Sequence, residues 1–268
     1  MLELNRIYNM DCVDGMKQLD DECVDCVITS PPYDNLRNYD GADEWNFDKF
    51  KQVAEQITRV LNDGGVCVWI VGDATINSSE TGTSFRQALY FMDCGLNLHD
   101  TMIYHKEIPT WNITSKRYRQ HFEYMFVLSK GKCRTFNPIE DVKVKNMLPR
   151  KCMSNRNGER RYEMYVPKKQ YTARGNIWYY PVGNGCTNDK IAYKHPAIFP
   201  EQLAQDHIIT WTNIGDVILD PFMGSGTTAK MALLNDRNYV GFEVSEKYCK
   251  IANERLEEII LQKSKALF

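Results

Sequence analysis

The stretch from Asp216 to Glu243 most limits what this chain can fold into. Asp216-Val-Ile-Leu-Asp220 reads as an apolar strand that ends in an acid. Pro221-Phe222-Met223-Gly224-Ser225-Gly226 follows as a glycine-rich turn, Thr227 to Leu234 reads as a helix, and Tyr239-Val-Gly-Phe-Glu243 reads as a second strand ending in an acid. Glycines let backbone approach a ligand closely, and a helix N-terminus presents unpaired N–H groups. Glu243 stands 23 residues after Asp220, close to the roughly 20-residue spacing of a ribose-binding acid in nucleotide folds. A glycine-rich turn alone says little. Strand, turn, helix, strand and acid in this order say much more. Lys230 lies four positions after Gly226, so the Gly-Lys-Ser/Thr of a phosphate loop is missing, and a nucleoside without a triphosphate is the better ligand.

A second constraint lies near the start. Cys23-Val-Asp-Cys26-Val-Ile28 reads as a buried strand that runs into Thr29-Ser30-Pro31-Pro32-Tyr33. Neither proline has an N–H, and Pro32 pushes Pro31 toward extended geometry, so no ladder or helix continues through them. The carbonyls of Ser30 and Pro31 are then expected to point outward at the end of the strand. Carbonyl and hydroxyl accept hydrogen bonds, and the Tyr33 ring offers a stacking face, so this rim can receive a flat group. Read alone, Pro-Pro is a strand-ending turn; the motif at 216–243 favours the ligand reading.

Together the two motifs resemble the amino-methylating DNA methyltransferases that use S-adenosylmethionine, in the permuted β group. There the catalytic Ser/Asp-Pro-Pro-Tyr precedes the cofactor motif Asp-Pro-Phe-x-Gly-Ser-Gly-Thr-Thr, as it does here. The resemblance covers about 5–130 and 190–262 and leaves the middle uncovered. It implies an α/β fold: a Rossmann-like seven-stranded methyltransferase sheet with helices on both faces and the last strand, 121–129, reversed, plus a small target-recognition insertion. It divides the chain into a catalytic half at 1–130, a target-recognition region at 131–193, and the cofactor-binding half of the same domain at 194–268. Ser30, Pro31, Pro32 and Tyr33 would be catalytic. Asp11, Cys12, Ser30, His195, Pro196, Asp220, Phe222, Gly224, Ser225, Gly226, Thr227 and Glu243 would bind the cofactor. DNA is the implied partner, and the resemblance admits a cognate restriction endonuclease and a homodimer.

Composition fits a folded chain. Hydrophobic residues make up 43% of the 268 and aromatics 12%, enough for a core. No charged-then-apolar leader opens the chain and no apolar run is long enough to span a bilayer, so a soluble protein of a prokaryotic or phage-encoded host cytoplasm is expected. The nine cysteines are odd in number, and Cys26 and Cys67 lie in apolar strands, which suits a reducing compartment. Cys23-x-x-Cys26 has no second Cys pair or His pair to complete a metal site, so no metal is expected.

The net charge of −2 hides an asymmetry. Residues 114–174 hold 16 of the 33 Lys+Arg and 5 of the 35 Asp+Glu, the footprint of a basic face on an acidic body. Arg and Asn make bidentate contacts to base edges and Lys contacts phosphate. Lys116, Arg117, Arg156, Arg160, Arg161, Lys168, Lys169 and Arg174 are therefore candidate DNA contacts. Trp111, in a polar Pro-containing loop, would either stack on a base or pack as a rim aromatic.

Between these landmarks the pattern alternates. Ile7 to Asp11 is a short strand followed by a helix, Val13 to Leu19. Asp11 reads the adenine edge by resemblance, or caps that helix. A polar aromatic loop at 34–41 is expected beside the site. Phe47, Phe50, Ala54, Ile57 and Leu61 mark an amphipathic helix stopped by Gly64-Gly65. Val66 to Val71 is a fully apolar strand, 75–82 a polar loop, and Ser84 to Cys94 a helix. Leu98 to His105 and His121 to Ser129 are strands, and Lys194-His-Pro-Ala-Ile-Phe-Pro-Glu201 opens a helix running to about Trp211. Glu246 to Leu261 is a helix given only a packing role.

The chemistry implied is methyl transfer to an exocyclic amino nitrogen, with Ser30 and the Pro31 carbonyl accepting its two hydrogens and the base flipped into the pocket. In this family Ser at the first motif position leans toward cytosine N4, and adenine N6 is the alternative. RNA or protein-glutamine methyltransferases usually carry the Pro-Pro-Tyr motif after the glycine motif. A non-catalytic nucleic-acid binder would not need both motifs intact.

Overall fold

The computed structural model describes residues 2–33, 45–108, 116–156, 159–187, 189–194 and 199–266. In chain order these form β1 (Arg6–Tyr8), α1 (Cys12–Met16), β2 (Val24–Thr29), α2 (Phe47–Val60), β3 (Leu61–Val71), β4 (Thr75–Ile76), β5 (Ser79–Glu80), α3 (Thr83–Asp93), β6 (Leu96–Lys106) and β7 (Phe122–Lys130). Then come β8 (Val142–Lys143), β9 (Arg150–Arg156), β10 (Glu159–Tyr165), β11 (Tyr171–Thr172), β12 (Ile177–Tyr180), α4 (Glu201–Trp211), β13 (Val217–Asp220), α5 (Thr227–Leu234), β14 (Asn238–Phe242) and α6 (Glu246–Ala266).

Eight strands form one sheet in the order β1-β14-β13-β2-β3-β7-β6-β12. Every neighbouring pair is parallel except those of β7, which runs antiparallel to both β3 and β6. The reversed strand is the one the family resemblance assigns to that place. α2 contacts α1 and α3, and α5 contacts α4 and α6. The central strands are near-continuous apolar runs because both of their faces are covered. Val27, Ile28, Cys67, Val68, Trp69, Val127 and Leu128 have no exposed surface, each such burial contributing about 1.5–3 kcal/mol. α2 buries Phe50, Val53, Ala54, Ile57 and Val60 at helical spacing against this sheet, and Phe50 meets Trp69 and Phe91.

The structure departs from the sequence reading in three places. α2 ends at Val60, before Gly64-Gly65, and those glycines lie inside β3 where the register with β2 shifts. A Cβ at Gly65 would stand 2.9 Å from the carbonyl oxygens of Asn62 and Asp25, so the glycine serves close backbone approach within the sheet. The polar stretch 75–82 carries a small hairpin, β4–β5, turned by Asn77 and Ser78 at φ 50° and 64°, the left-handed pair that tight hairpins require. β12 is an eighth strand, paired parallel to β6. Its four residues are too few for a period to stand out.

The chain splits into two compact units, 1–137 with 176–268, and Pro138–Gly175. The smaller unit consists of the antiparallel pairs β9–β10 and β8–β11. The segment 176–193 thus belongs to the unit that carries the sheet. Among the described residues, no helix is long and apolar enough to cross a membrane. The nine cysteines are free thiols.

Candidate active site

Because β1, β14, β13, β2, β3 and β6 run parallel, their carboxyl ends share one edge of the sheet, together with the start of reversed β7. Asp11, Ser30 and Glu243 follow the ends of β1, β2 and β14, and Asp220 is the last residue of β13, so residues far apart in sequence meet there. In open α/β sheets this is the edge that receives ligands.

Asp220 is buried, and its Oδ1 accepts from the Thr29 hydroxyl at 2.6 Å and the Phe222 N–H at 3.0 Å. The Thr228 hydroxyl is a further donor, and burial nonetheless raises the Asp220 pKa. Asp220 therefore acts as a clamp between the strand that leads to Ser30 and the glycine turn. Thr29, which the sequence reading left unassigned, is its partner, and the signal was its place directly before the motif.

The turn is fixed from both sides. Gly226 has φ 80°, and a Cβ there would lie 2.9 Å from Ala252 Cβ and 3.2 Å from its Cα, so backbone strain and steric room both demand glycine. Glu243 accepts from Gly224 N–H through Oε2 and from Ser245 N–H through Oε1, each at 2.8 Å. Burial raises the Glu243 pKa, the two amides work against it, and the Asp220 charge adds to the rise. Ser225 and Thr227 are buried, and their side chains face the fold: Arg255 donates to the Ser225 carbonyl, to Ser225 Oγ at 3.1 Å and to Thr227 Oγ1 at 3.3 Å. Arg255 also pairs with Asp189 at 2.6 Å and Glu201 at 2.9 Å, and Lys230 joins Glu201 at 2.7 Å. The last helix thus does more than pack. Its fully buried arginine braces the turn, a role that an amphipathic pattern cannot reveal.

Asp11 caps α1, accepting from Val13 N–H at 2.9 Å and Asp14 N–H at 3.3 Å, while its other oxygen meets Lys49 Nζ at 2.7 Å. Burial alone would raise its pKa; the Lys49 ion pair and the amides outweigh this and hold it below the ordinary value. Cys12 is buried and its thiol is pushed up to about 12 by burial, so it is not a nucleophile at neutral pH. Phe222 packs edge-on against Trp45 at 5.2 Å and Trp69 at 6.3 Å between centroids.

At the end of β2, the Ser30 hydroxyl lies 2.8 Å from the Tyr33 hydroxyl, which reaches Glu123 Oε2 at 3.0 Å and the Ile70 carbonyl at 3.4 Å. Pro31 is buried and Pro32 half-buried. Glu123 pairs with Lys106. The sequence reading missed both; an acid opening the apolar run from Phe122 to Leu128 was the available signal.

Arg160, Arg161, Lys168, Lys169 and Arg174 lie in the smaller unit, with Arg156 at the end of β9. Arg160, Arg161, Lys168 and Lys169 are exposed. Lys169 pairs with Glu140 at 2.7 Å, and Arg174 pairs with Asp141. Lys116 and Arg117 belong to the larger unit, where Arg117 reaches the β4–β5 hairpin through Ser78 and Glu80. Trp111, His195, Pro196 and the expected loop at 34–41 lie outside the described residues. Among the described residues, no group of three or more His, Cys, Asp or Glu could hold a metal.

A parallel sheet with one reversed strand, a braced glycine turn with an acid on the next strand, and Ser-Pro-Pro-Tyr at the same edge define a class of methyl-transferring enzyme. The chain matches the family model described as DNA methylase over residues 24–254. It is 51% identical over 253 residues to the orphan methyltransferase M.BamHII of Bacillus amyloliquefaciens, covering 92% of this chain and 94% of that protein. It is 26% identical to the type II methyltransferase M.SmaI of Serratia marcescens, over 92% of this chain and 88% of that one. Among solved structures it resembles the PvuII DNA methyltransferase (cytosine-N4-specific) at TM-score 0.70 and 20% identity, covering 93% and 85% of the two chains. The chain belongs to the N4-cytosine/N6-adenine DNA methylase family. It is an S-adenosylmethionine-dependent DNA methyltransferase.

Proposed function

We propose that this enzyme methylates N4 of a cytosine flipped out of the duplex, at the rim led by Ser30. The observation that carries this reading is the end of β2. Serine, not aspartate, leads the Pro-Pro-Tyr turn, and its hydroxyl is held by Tyr33 at 2.8 Å. In this family Ser preceded by Thr leans toward cytosine, and the structural likeness to a cytosine-N4-specific enzyme supports the same choice. Adenine N6 is the alternative, by the same mechanism.

The donor and acceptor set at the edge suits S-adenosylmethionine. Glu243 and Asp11 are acceptor-only carboxylates, matched to ribose hydroxyls and an adenine amino group. Lys230, the cation nearest the turn in sequence, is engaged by Glu201, so nothing in this set calls for a phosphate. Glu243, the backbone of Gly224 to Thr227, Phe222, Asp11 and Cys12 would hold the cofactor. When bound, the cofactor supplies a methyl group made electrophilic by a sulfonium.

The chain's own residues do the rest. An exocyclic amino nitrogen is a poor nucleophile because its lone pair is delocalised into the ring. Ser30 Oγ and the Pro31 carbonyl accept its two hydrogens, which draws the nitrogen toward tetrahedral geometry and frees the lone pair. Positive charge grows on that nitrogen in the transition state, so these acceptors count for more there than in the ground state. The Tyr33 ring is the stacking face for the flipped base. The methylated nitrogen then loses its proton to water without a dedicated base.

DNA contacts fall to the β9–β10 ribbon and its neighbours. A two-stranded ribbon fits the major groove. The register sets Arg160 opposite Asn155 and Arg161 opposite Ser154, so the two arginines serve opposite faces. Mass spectrometry of digested DNA from a host expressing the enzyme tests the base: N4-methylcytosine above the uninduced level is the expected product, and N6-methyladenine alone would replace cytosine by adenine in this reading.

A further inference from the structure

The catalytic edge holds a hydrogen-bond chain that the Thr-Ser-Pro-Pro-Tyr motif does not contain. Lys106 ends β6 and Glu123 is the second residue of β7. In their ladder Tyr104 stands opposite Glu123, so Lys106 reaches the acid diagonally. Lys106 Nζ lies 2.5 Å from Glu123 Oε1, with side chains only 18% and 15% exposed. The other carboxylate oxygen lies 3.0 Å from the Tyr33 hydroxyl, and that hydroxyl lies 2.8 Å from Ser30 Oγ.

Counting protons gives this chain a direction. The Tyr33 hydroxyl has one proton. Glu123 as a carboxylate and the Ile70 carbonyl are acceptors only, at 3.0 and 3.4 Å. The tyrosine proton therefore points to Glu123, and the phenol oxygen is left as an acceptor toward Ser30. The Ser30–Tyr33 hydrogen bond is then made with the serine proton. Once that proton is committed, Ser30 has only lone pairs to offer a substrate.

We propose that Glu123, held by Lys106, is a positioning residue that fixes Ser30 as a hydrogen-bond acceptor. The inference rests on the proposed role of Ser30 toward an amino group and extends it to selectivity. An exocyclic amino group, which donates, meets the right partner. A ring carbonyl in the same place would meet a second acceptor with no proton to share, and a mispaired polar group in a closed site discriminates strongly.

Glutamine is the informative replacement. Its amide can donate to the Tyr33 oxygen, which turns the tyrosine proton toward Ser30 and consumes one of the serine lone pairs. In single-turnover assays on DNA carrying the mapped target base, Glu123→Gln should slow methyl transfer about tenfold or more, the scale of one misdirected hydrogen bond. Affinity for S-adenosylmethionine and KM for DNA should stay within about twofold, since neither site includes this residue. The same substitution in a Tyr33→Phe background should cost nothing further, because the hydroxyl that relays the polarity is gone. Tyr33→Phe alone removes the acceptor that holds the serine proton, should slow methyl transfer by a comparable factor, and carries the test if Glu123→Gln does not fold. An unchanged rate in Glu123→Gln, or an equal loss with and without the Tyr33 hydroxyl, would overturn the proposal. Ser30→Ala is assayed beside them: wild-type turnover there would remove the amino-acceptor role itself, a failure visible without any Glu123 variant.

Discussion

The carboxyl edge of the sheet and the 138–175 unit are built on opposite rules. At the edge, the polar groups of the candidate site are tied by protein partners. Asp220 holds Thr29 and the Phe222 amide, Glu243 holds two amides, and Tyr33 is bonded to Glu123. In the smaller unit, β9 and β10 pair with each other, and Met153, Tyr162, Met164 and Tyr165 are exposed along them. The ion pairs there, such as Lys169 with Glu140, stand at the surface, where each is worth about 0–1 kcal/mol. Under the proposed function the difference separates two tasks. A transition state needs acceptors that do not reorganise as charge develops. A DNA sequence is read by side chains that adapt to a groove, on an electrostatic background that salt can screen.

The comparison breaks most visibly at Tyr33. Tyr33→Ala removes the ring and the hydroxyl together, and single-turnover methyl transfer should fall by about 10³-fold or more. Retained activity would mean that the edge is not preorganised through this residue.

Glu243 comes next. Glu243→Ala should weaken S-adenosylmethionine binding in titration calorimetry by roughly 1.5–3 kcal/mol, the scale of charge-assisted hydrogen bonds. Burial raises the Glu243 pKa above its ordinary 4.5. Cofactor affinity should therefore drop as pH is lowered through that raised value, because the protonated acid accepts less well, and Glu243→Gln should lack this acid limb. An identical pH dependence in both proteins would take Glu243 out of the cofactor site.

The ribbon should respond to salt, not to cofactor. Arg160→Ala with Arg161→Ala should lower DNA affinity and flatten the log–log salt slope by up to about 1.8, from about 0.9 for each phosphate no longer neutralised. A fixed slope with weaker binding at one sequence only would assign these arginines to base edges.

The smallest effect belongs to Lys49. Its pair with Asp11 is partly exposed, 22% and 30%, so Lys49→Met should cost at most about 1 kcal/mol in denaturant unfolding at neutral pH. Asp11 has a lowered pKa, so the stability it contributes is present above its unfolded value and is lost as pH falls through the depressed one. The difference between the two proteins should close in that acid range.

Local patterns carried most of the fold. The strand–turn–helix–strand from Val217 to Phe242 and the strand before Ser30 are written in periodicity and glycine placement, and the reversed strand came with the family resemblance. β12, the β4–β5 hairpin and the glycines inside β3 were not legible, because each is short or depends on a partner strand remote in sequence. The same limit held at the site. Ser30, Asp220 and Glu243 announce themselves at strand ends. Thr29, Lys106, Glu123 and Arg255 act through hydrogen bonds across 191, 17, 90 and 30 positions, which no local pattern records.

Single-turnover kinetics of Ser30→Ala test the central claim most directly. In the proposed mechanism Ser30 is the side-chain acceptor at the rim, and the Pro31 carbonyl survives the substitution. Methyl transfer should fall by about 10²–10³, the scale of one preorganised transition-state hydrogen bond, with S-adenosylmethionine affinity nearly intact. Turnover equal to wild type would contradict the account.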